Sequence, residues 1–172
     1  MAALENKLIE YEGIRYTAYD AQPSNSYVDW TICVGFNLKR SEARSVFSTV
    51  LPGVSFDSVY AGHTSLSRAQ CMSLFGHDLT KTYIPRAQTV AGSQFCGLPV
   101  NVKIALVSAV YRGDLAYSHK TAQYMRAGNW CSVPAEYLNY YQYTHCHQLG
   151  IPGVCTRMKW NADQFQTMCH HG

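Results

Sequence analysis

Residues 100–112 set the strongest constraint on what this chain can become. Val102, Ile104, Ala105, Leu106, Val107, Ala109, Val110 and Tyr111 fall within one helix-length run, and Gly113 closes it. Apolar side chains at nearly every position leave such a helix no water-facing side. It must therefore lie buried at the centre of the fold. Gly113 is the expected stop, because glycine accepts the left-handed backbone that ends helices.

The rest of the chain must wrap that helix, and it is long enough to do so. Its 172 residues suffice for one domain, or one domain of two lobes, with a sizeable core. Hydrophobic residues make up 47% and charged residues 15%, which excludes a disordered chain. No apolar run reaches the roughly 18 residues of a membrane span, so membrane insertion is not expected. The start, Met1-Ala-Ala-Leu-Glu-Asn-Lys7, lacks the long apolar stretch of a signal peptide. Export would then follow prior processing, a holin or a secretion system. A net charge of +3 is too mild to indicate nucleic-acid binding.

Seven cysteines stand at 33, 71, 96, 131, 146, 155 and 169, so six at most can pair and one is left over. No Cys-x-x-Cys occurs, which removes zinc-ribbon and thioredoxin-type motifs. His145-Cys146-His147 with Cys155, extended by Cys169-His170-His171, has the residue types of a metal site. A disulfide across that loop is the plainer alternative, and neither metal nor other cofactor is expected. The cysteine count favours an oxidising compartment, the periplasm or the extracellular space.

Along the chain, residues 3–12 predict a helix with Leu4, Leu8 and Glu12 on one stripe and Gly13 at its end. An acid ending an apolar stripe either frays into water or sits in a partly apolar cleft, where its proton is held more tightly. Residues 14–38 predict short antiparallel strands, with a loop at Gln22-Pro-Ser-Asn-Ser26 and a β-rich run Trp30–Val34 closed by Gly35. A short helix is expected over 41–50 and a plain connection over 51–64. Ser67-Arg-Ala-Gln70 fits a capping box. The helix it opens should run to about residue 84, with Met72, Phe75, Leu79 and Tyr83 on one face, until Pro85 ends or kinks it. Further helices are expected over 118–127, 133–143 and 154–168.

Several segments then line up with a known pattern. Leu8-Ile-Glu-Tyr-Glu12-Gly13-x-Arg15-x-x-x-Tyr19, followed by Thr31-Ile32-x-Val34-Gly35, resembles the amino-terminal signature of phage-type lysozymes, the muramidases of glycoside hydrolase family 24. Leu66–Leu79 resembles that family's interlobe helix, and Ala105–Gly113 its central helix. Thr121–Trp130 resembles the segment after it, and Gly153-x-x-x-Arg157 the closing helix. These matches keep family order and cover most of the chain.

The resemblance implies an α+β, mostly helical fold of two lobes. A small antiparallel sheet lobe would span about 13–64 and an interlobe helix 65–85. The helical lobe would comprise 86–172 together with 1–12. It implies a general acid/base hydrolase cleaving the β-1,4 bond between N-acetylmuramic acid and N-acetylglucosamine in peptidoglycan. That chemistry needs a protonated carboxyl at the leaving oxygen and a second carboxylate opposite. By the resemblance Glu12 is the acid and Thr31 the family threonine. Arg157 lies near the acid, and Tyr111 and Arg112 lie on the substrate side. An Arg there either grips carboxylates or simply complements a helix end.

The second carboxylate departs from the pattern. The family places it two residues after the Tyr that matches Tyr19, which here is Ala21. Asp20, one position earlier, is the first candidate and Asp29 the alternative; holding turns is the ordinary use of both. A one-residue slip reverses side-chain direction in a strand, so the choice is physical. The family's Gly-His is Gly35-Phe36 here, which leaves Asp78 without its family partner. Glu5, Glu10, Glu42, Asp57, Asp114, Glu136 and Asp163 are expected on polar faces or in connections, and the Tyr137–Tyr143 cluster in packing.

Three functions follow. The first is an active muramidase, expected as a monomer outside the cytoplasm with glycan strands as partner and a proteinaceous inhibitor or immunity protein as its counterpart. The alternative is a catalytically weak lysozyme-like module that binds wall or inhibitor. A chitinase- or chitosanase-like enzyme is the third.

Overall fold

The computed structural model describes residues 1–170. It is mostly helical, with one three-stranded antiparallel sheet, which is the α+β class expected. The chain divides into two compact units, Met1–Thr80 and Lys81–Gly172. The expected division set residues 1–12 with the helical part, whereas compactness groups them with the sheet.

In the first unit, α1 (Ala2–Glu12) buries Leu4 and Leu8, one turn apart, and stops at Gly13. β1 (Arg15–Asp20) pairs with β2 (Trp30–Cys33), and β2 with β3 (Phe36–Asn37). The register sets Tyr19 against Thr31, Asp20 against Trp30 and Thr31 against Asn37, with an irregularity between Arg15 and Tyr19. The β-rich run ends one residue short of expectation. Cys33 turns to φ 59°, a conformation that is costly for a non-glycine residue, and is tied there to Cys71 by a disulfide.

α2 (Ala43–Val50) presents Ala43, Val46 and Phe47 to the core formed with Ile32, Phe36, Val59 and Leu74. Phe47 meets the rings of Phe36 and Phe56 edge-on at 5.7 and 5.0 Å. The segment expected as plain connection folds a short helix, α3 (Phe56–Tyr60), whose Ser55 side chain accepts from the Ser58 N–H. α4 (Arg68–Asp78) begins with both bonds of the Ser67–Gln70 capping box, at 2.8 and 3.1 Å. Its buried face is Cys71, Leu74, Phe75 and Asp78.

Of the two outcomes expected at Pro85, an end or a kink, the helical run does not end but is interrupted just before it. α4 passes into a π turn, Leu79–Tyr83, and then α5 (Ile84–Ala91) starts with Pro85 in its first turn. Pro85 has no N–H to give to the preceding turn, and the change from α to π pattern falls directly before it. The unit boundary falls inside that π turn.

The second unit's described regular elements are all helices. α6 (Val100–Arg112) buries Val102 and all of Ala105–Val110, as its composition demands, and Gly113 caps it at φ 90°. α7 (Lys120–Arg126), α8 (Val133–Leu138), α9 (Tyr141–Thr144) and α10 (Pro152–Gln166) follow. The helix expected over 133–143 is thus broken at Asn139 and Tyr140. α10 packs on α6 and α8, and Phe165 meets the Tyr137 ring edge-on at 5.2 Å.

Two further disulfides, Cys131–Cys169 and Cys146–Cys155, lie in this unit. Cys96 is the free, exposed thiol among the described residues. Three bridges and one leftover thiol match the cysteine arithmetic and favour an oxidising environment. No helix among the described residues is long and apolar enough to cross a membrane.

Candidate active site

Glu12 is the last residue of α1, and its side chain is exposed. Gly13 and Ile14 carry the chain directly from this carboxylate into β1.

The other first-unit candidates gather around the β1–β2 hairpin. Asp20 Oδ1 accepts from the backbone N–H of Gln22 at 3.0 Å and of Asp29 at 2.9 Å. That oxygen is thus committed to holding the long loop, the turn role common for aspartate. Asp29 Oδ1 accepts from Asn37 Nδ2 at 2.7 Å, and Thr31 Oγ1 donates to the Asp29 carbonyl at 3.0 Å. Asn37 is the cross-strand partner of Thr31, which is buried. Register therefore brings Asp29, Thr31 and Asn37 into one cluster, with Asp20 beside it through the Asp29 N–H.

Asp78 has found a new partner. Arg40 Nη2 reaches both its oxygens, at 2.7 and 3.0 Å, and the Arg40 guanidinium lies 3.8 Å over the Phe36 ring. Phe36 thus serves as a platform for the arginine that neutralises a buried acid.

In the second unit, the Tyr111 ring lies 4.6 Å from that of Tyr83. Arg112 ends α6 and is fully engaged: Nη1 donates to Asp114 Oδ1 at 2.8 Å and Nη2 to Gln142 Oε1 at 2.7 Å. Arg157 is buried in α10 and donates to the Ser108 hydroxyl at 3.3 Å and its carbonyl at 3.4 Å.

Asp114 is the residue the sequence reading passed over. Its side chain is fully buried, and Oδ2 has no hydrogen-bond partner. Burial pushes its carboxyl above the usual carboxylate range, against the pull of Arg112 and Arg157. Burial together with the Asp114 charge likewise raises the Tyr137 hydroxyl, to which Asn161 Nδ2 donates at 3.0 Å. A signal for this cluster was present: Arg157 and Asn161 fall on the same α10 stripe as Val154, Met158 and Phe165. A cation on a buried stripe demands an acid nearby.

The proposed metal cluster resolves as chemistry of another kind. Cys146, His147 and Cys155 bring donor atoms within 4.8 Å of one another, but the two sulfurs are bonded to each other. Sulfurs joined in a disulfide are not thiolate ligands. His171 lies outside the described residues. The Tyr cluster splits: Tyr137 is core, while Tyr141 is exposed and stacks on His145 at 4.2 Å.

No protein-family model matches this sequence, and no curated protein matches it.

Proposed function

We propose that the protein is a peptidoglycan hydrolase of the muramidase type, acting outside the cytoplasm. The observation that carries the reading is the succession of an exposed carboxylate ending α1 and a hairpin presenting Asp29, Thr31 and Asn37 together. The phage-lysozyme-like motif supports it from the sequence side.

In this mechanism Glu12 protonates the leaving glycosidic oxygen while a carboxylate on the hairpin activates water from the opposite face of the sugar, giving inversion. Asp29 suits the second role better than Asp20, because one Asp20 oxygen already holds the loop through two backbone N–H groups. Asn37 orients the Asp29 carboxylate, and Thr31 fixes the backbone beneath it. Since Glu12 is exposed in the free protein, the bound sugar must itself cover it and keep water from competing for its proton.

The test sets wild type beside Glu12→Gln, Asp29→Asn and Asp20→Asn, reading wall clearing and released reducing ends. Glu12→Gln should lower the rate by about 100- to 10,000-fold with folding intact, and Asp29→Asn nearly as much. Asp20→Asn should act mainly on stability. Unchanged clearing by Glu12→Gln would sink the assignment. The exposure of Glu12 favours one competing reading, a wall- or inhibitor-binding module without hydrolysis. That module would retain insoluble walls yet release no reducing ends even as wild type.

A further inference from the structure

The second unit carries more cations than its own carboxylates can pair. From Lys81 onward there are eight Lys and Arg residues and only three carboxylates, Asp114, Glu136 and Asp163. Asp114 is buried against Arg112, and Asp163 is paired with Lys159 one helical turn away. Lys81, Arg86 and Arg126 have no carboxylate partner among the described residues.

Two of these three cations line one groove. It has a volume of about 660 Å³, within the range that accepts a disaccharide-sized ligand. Lys81, Arg86 and Thr89 come from one side of the π turn and α5, spaced about a helical turn apart. Tyr117 comes from the segment after α6, over a floor of Val90 and Leu115. No carboxylate lines it.

The third cation stands behind the ring. The Arg126 guanidinium lies 3.9 Å from the Tyr117 ring centre and donates to the carbonyls of Val90 and Tyr117 at 3.0 and 3.1 Å. Tyr117 is thus held in place although it is 56% exposed. A ring fixed at the mouth of a groove offers a flat face for a sugar or polyol. The two cations beside it offer charge to phosphate or carboxylate groups.

We propose that this groove binds an anionic, hydroxyl-rich polymer, with Lys81 and Arg86 contacting its anionic groups and Tyr117 stacking on the unit between them. The residues lining the groove all belong to the second unit, and the groove would hold the protein on charged envelope polymer. That cellular setting rests on the wall-directed reading, whereas the preference for anions does not.

Binding is measured with Glu12→Gln protein, so that hydrolysis does not enter. The probes are poly(glycerol phosphate), polygalacturonate, neutral chitin oligosaccharide and single-stranded DNA. Both anionic carbohydrate-like polymers should bind more tightly than the neutral one, and their ranking tells phosphate from carboxylate. Raising salt from 0.1 to 1 M should weaken them, as the screening length falls from about 10 to about 3 Å. Lys81→Glu with Arg86→Glu should lose at least about tenfold in affinity with circular dichroism unchanged, and Tyr117→Ala should lose a smaller factor. Equal binding of the neutral oligosaccharide, tighter binding of DNA than of either polymer, or full affinity in the doubly reversed variant would each overturn the proposal. Wall clearing by the unmodified enzyme reads the muramidase assignment separately, so either idea can fail alone.

Discussion

The two units bury similar amounts of chain by different means. Met1–Thr80 uses a sheet, two helices with side-chain caps and a disulfide set within its core, and it holds eight carboxylates against six Lys and Arg. From Lys81 onward, the described residues include no sheet and no helix with a side-chain cap bond. That unit is organised around α6, keeps a polar cluster inside and holds eight cations against three carboxylates. The first makes side-chain cap bonds locally, at Ser55 and Ser67, and adds the long-range Arg40–Asp78 pair. The second buries Asp114 against Arg112 and sets Arg157 on Ser108, and its cations outnumber its carboxylates.

The disulfides give the largest way to test that contrast. Cys33–Cys71 and Cys131–Cys169 both close 38 residues, so each should contribute about 4 kcal/mol by chain entropy alone. Cys33 and Cys71 are core residues at 2% and 0% exposure, whereas Cys131 is exposed and Cys169 half-buried. The double serine variant of the first pair adds two buried hydroxyls to the lost bridge and should be the most damaging. The 131–169 pair should cost less, and Cys146–Cys155, closing only 9 residues, about 2.6 kcal/mol. Urea unfolding of the three double variants checks the order. An equal loss for the first two would mean that burial at Cys33 and Cys71 counts for nothing.

What could be read in advance follows the same line. The capping box, the Gly113 stop and the strands before Gly35 are local signals, and they appeared where expected. α3 escaped because 51–64, with its Pro, Gly, Ser and Asp, reads as loop, although Ser55 three before Ser58 is a cap pattern. Pro85 left an end and a kink open, and the choice between them needed the π turn, which no local pattern announces. Asp29 and Thr31 stand two apart, but their bond runs to the Asp29 backbone carbonyl just before β2, which strand period does not give. The tie of Asp29 to Asn37 needed the β2–β3 register, and the loop role of Asp20 needed the 9-residue return to Asp29. Asp114 was missed because a charged residue after a helix defaults to solvent, and its partners lie up to 43 positions away at Arg157.

Next in size is the Arg40–Asp78 pair, the first unit's own buried ion pair. The Asp78 side chain is 12% exposed and that of Arg40 26%. Arg40→Ala strands the acid and should cost about 2–3 kcal/mol. Arg40→Met with Asp78→Leu should regain most of it, because hydrophobic replacement removes the stranded charge. Thermal melts of the single and double variants decide. A double variant as weak as the single would point to the Arg40 stack on Phe36 as the main contribution.

Asp114 supplies the second unit's counterpart, with an opposite sign. A carboxyl raised above its unfolded value binds its proton more tightly when folded. Its contribution to stability is therefore fully present below the ordinary carboxylate range and is lost as pH rises through the raised folded value. Asp114→Asn removes that titration. Relative to wild type, the variant should gain stability as pH climbs from about 4 toward neutrality. Melting temperatures across that range would show a flat difference if Asp114 were not the group responsible.

The smallest effect is the cleanest comparison, because it places one residue type at one helix position in both units. Ser67 precedes α4 and makes both capping-box bonds, while Ser132 precedes α8 and makes no cap bond. Ser67→Ala should cost about 1 kcal/mol, roughly 3 °C in a protein of this length. Ser132→Ala should leave the melting temperature nearly unchanged, since α8 is held by packing on α7 and α10 rather than by its end. If the two substitutions cost the same, helix ends matter equally in both units, and the division between locally bonded and core-packed halves does not hold.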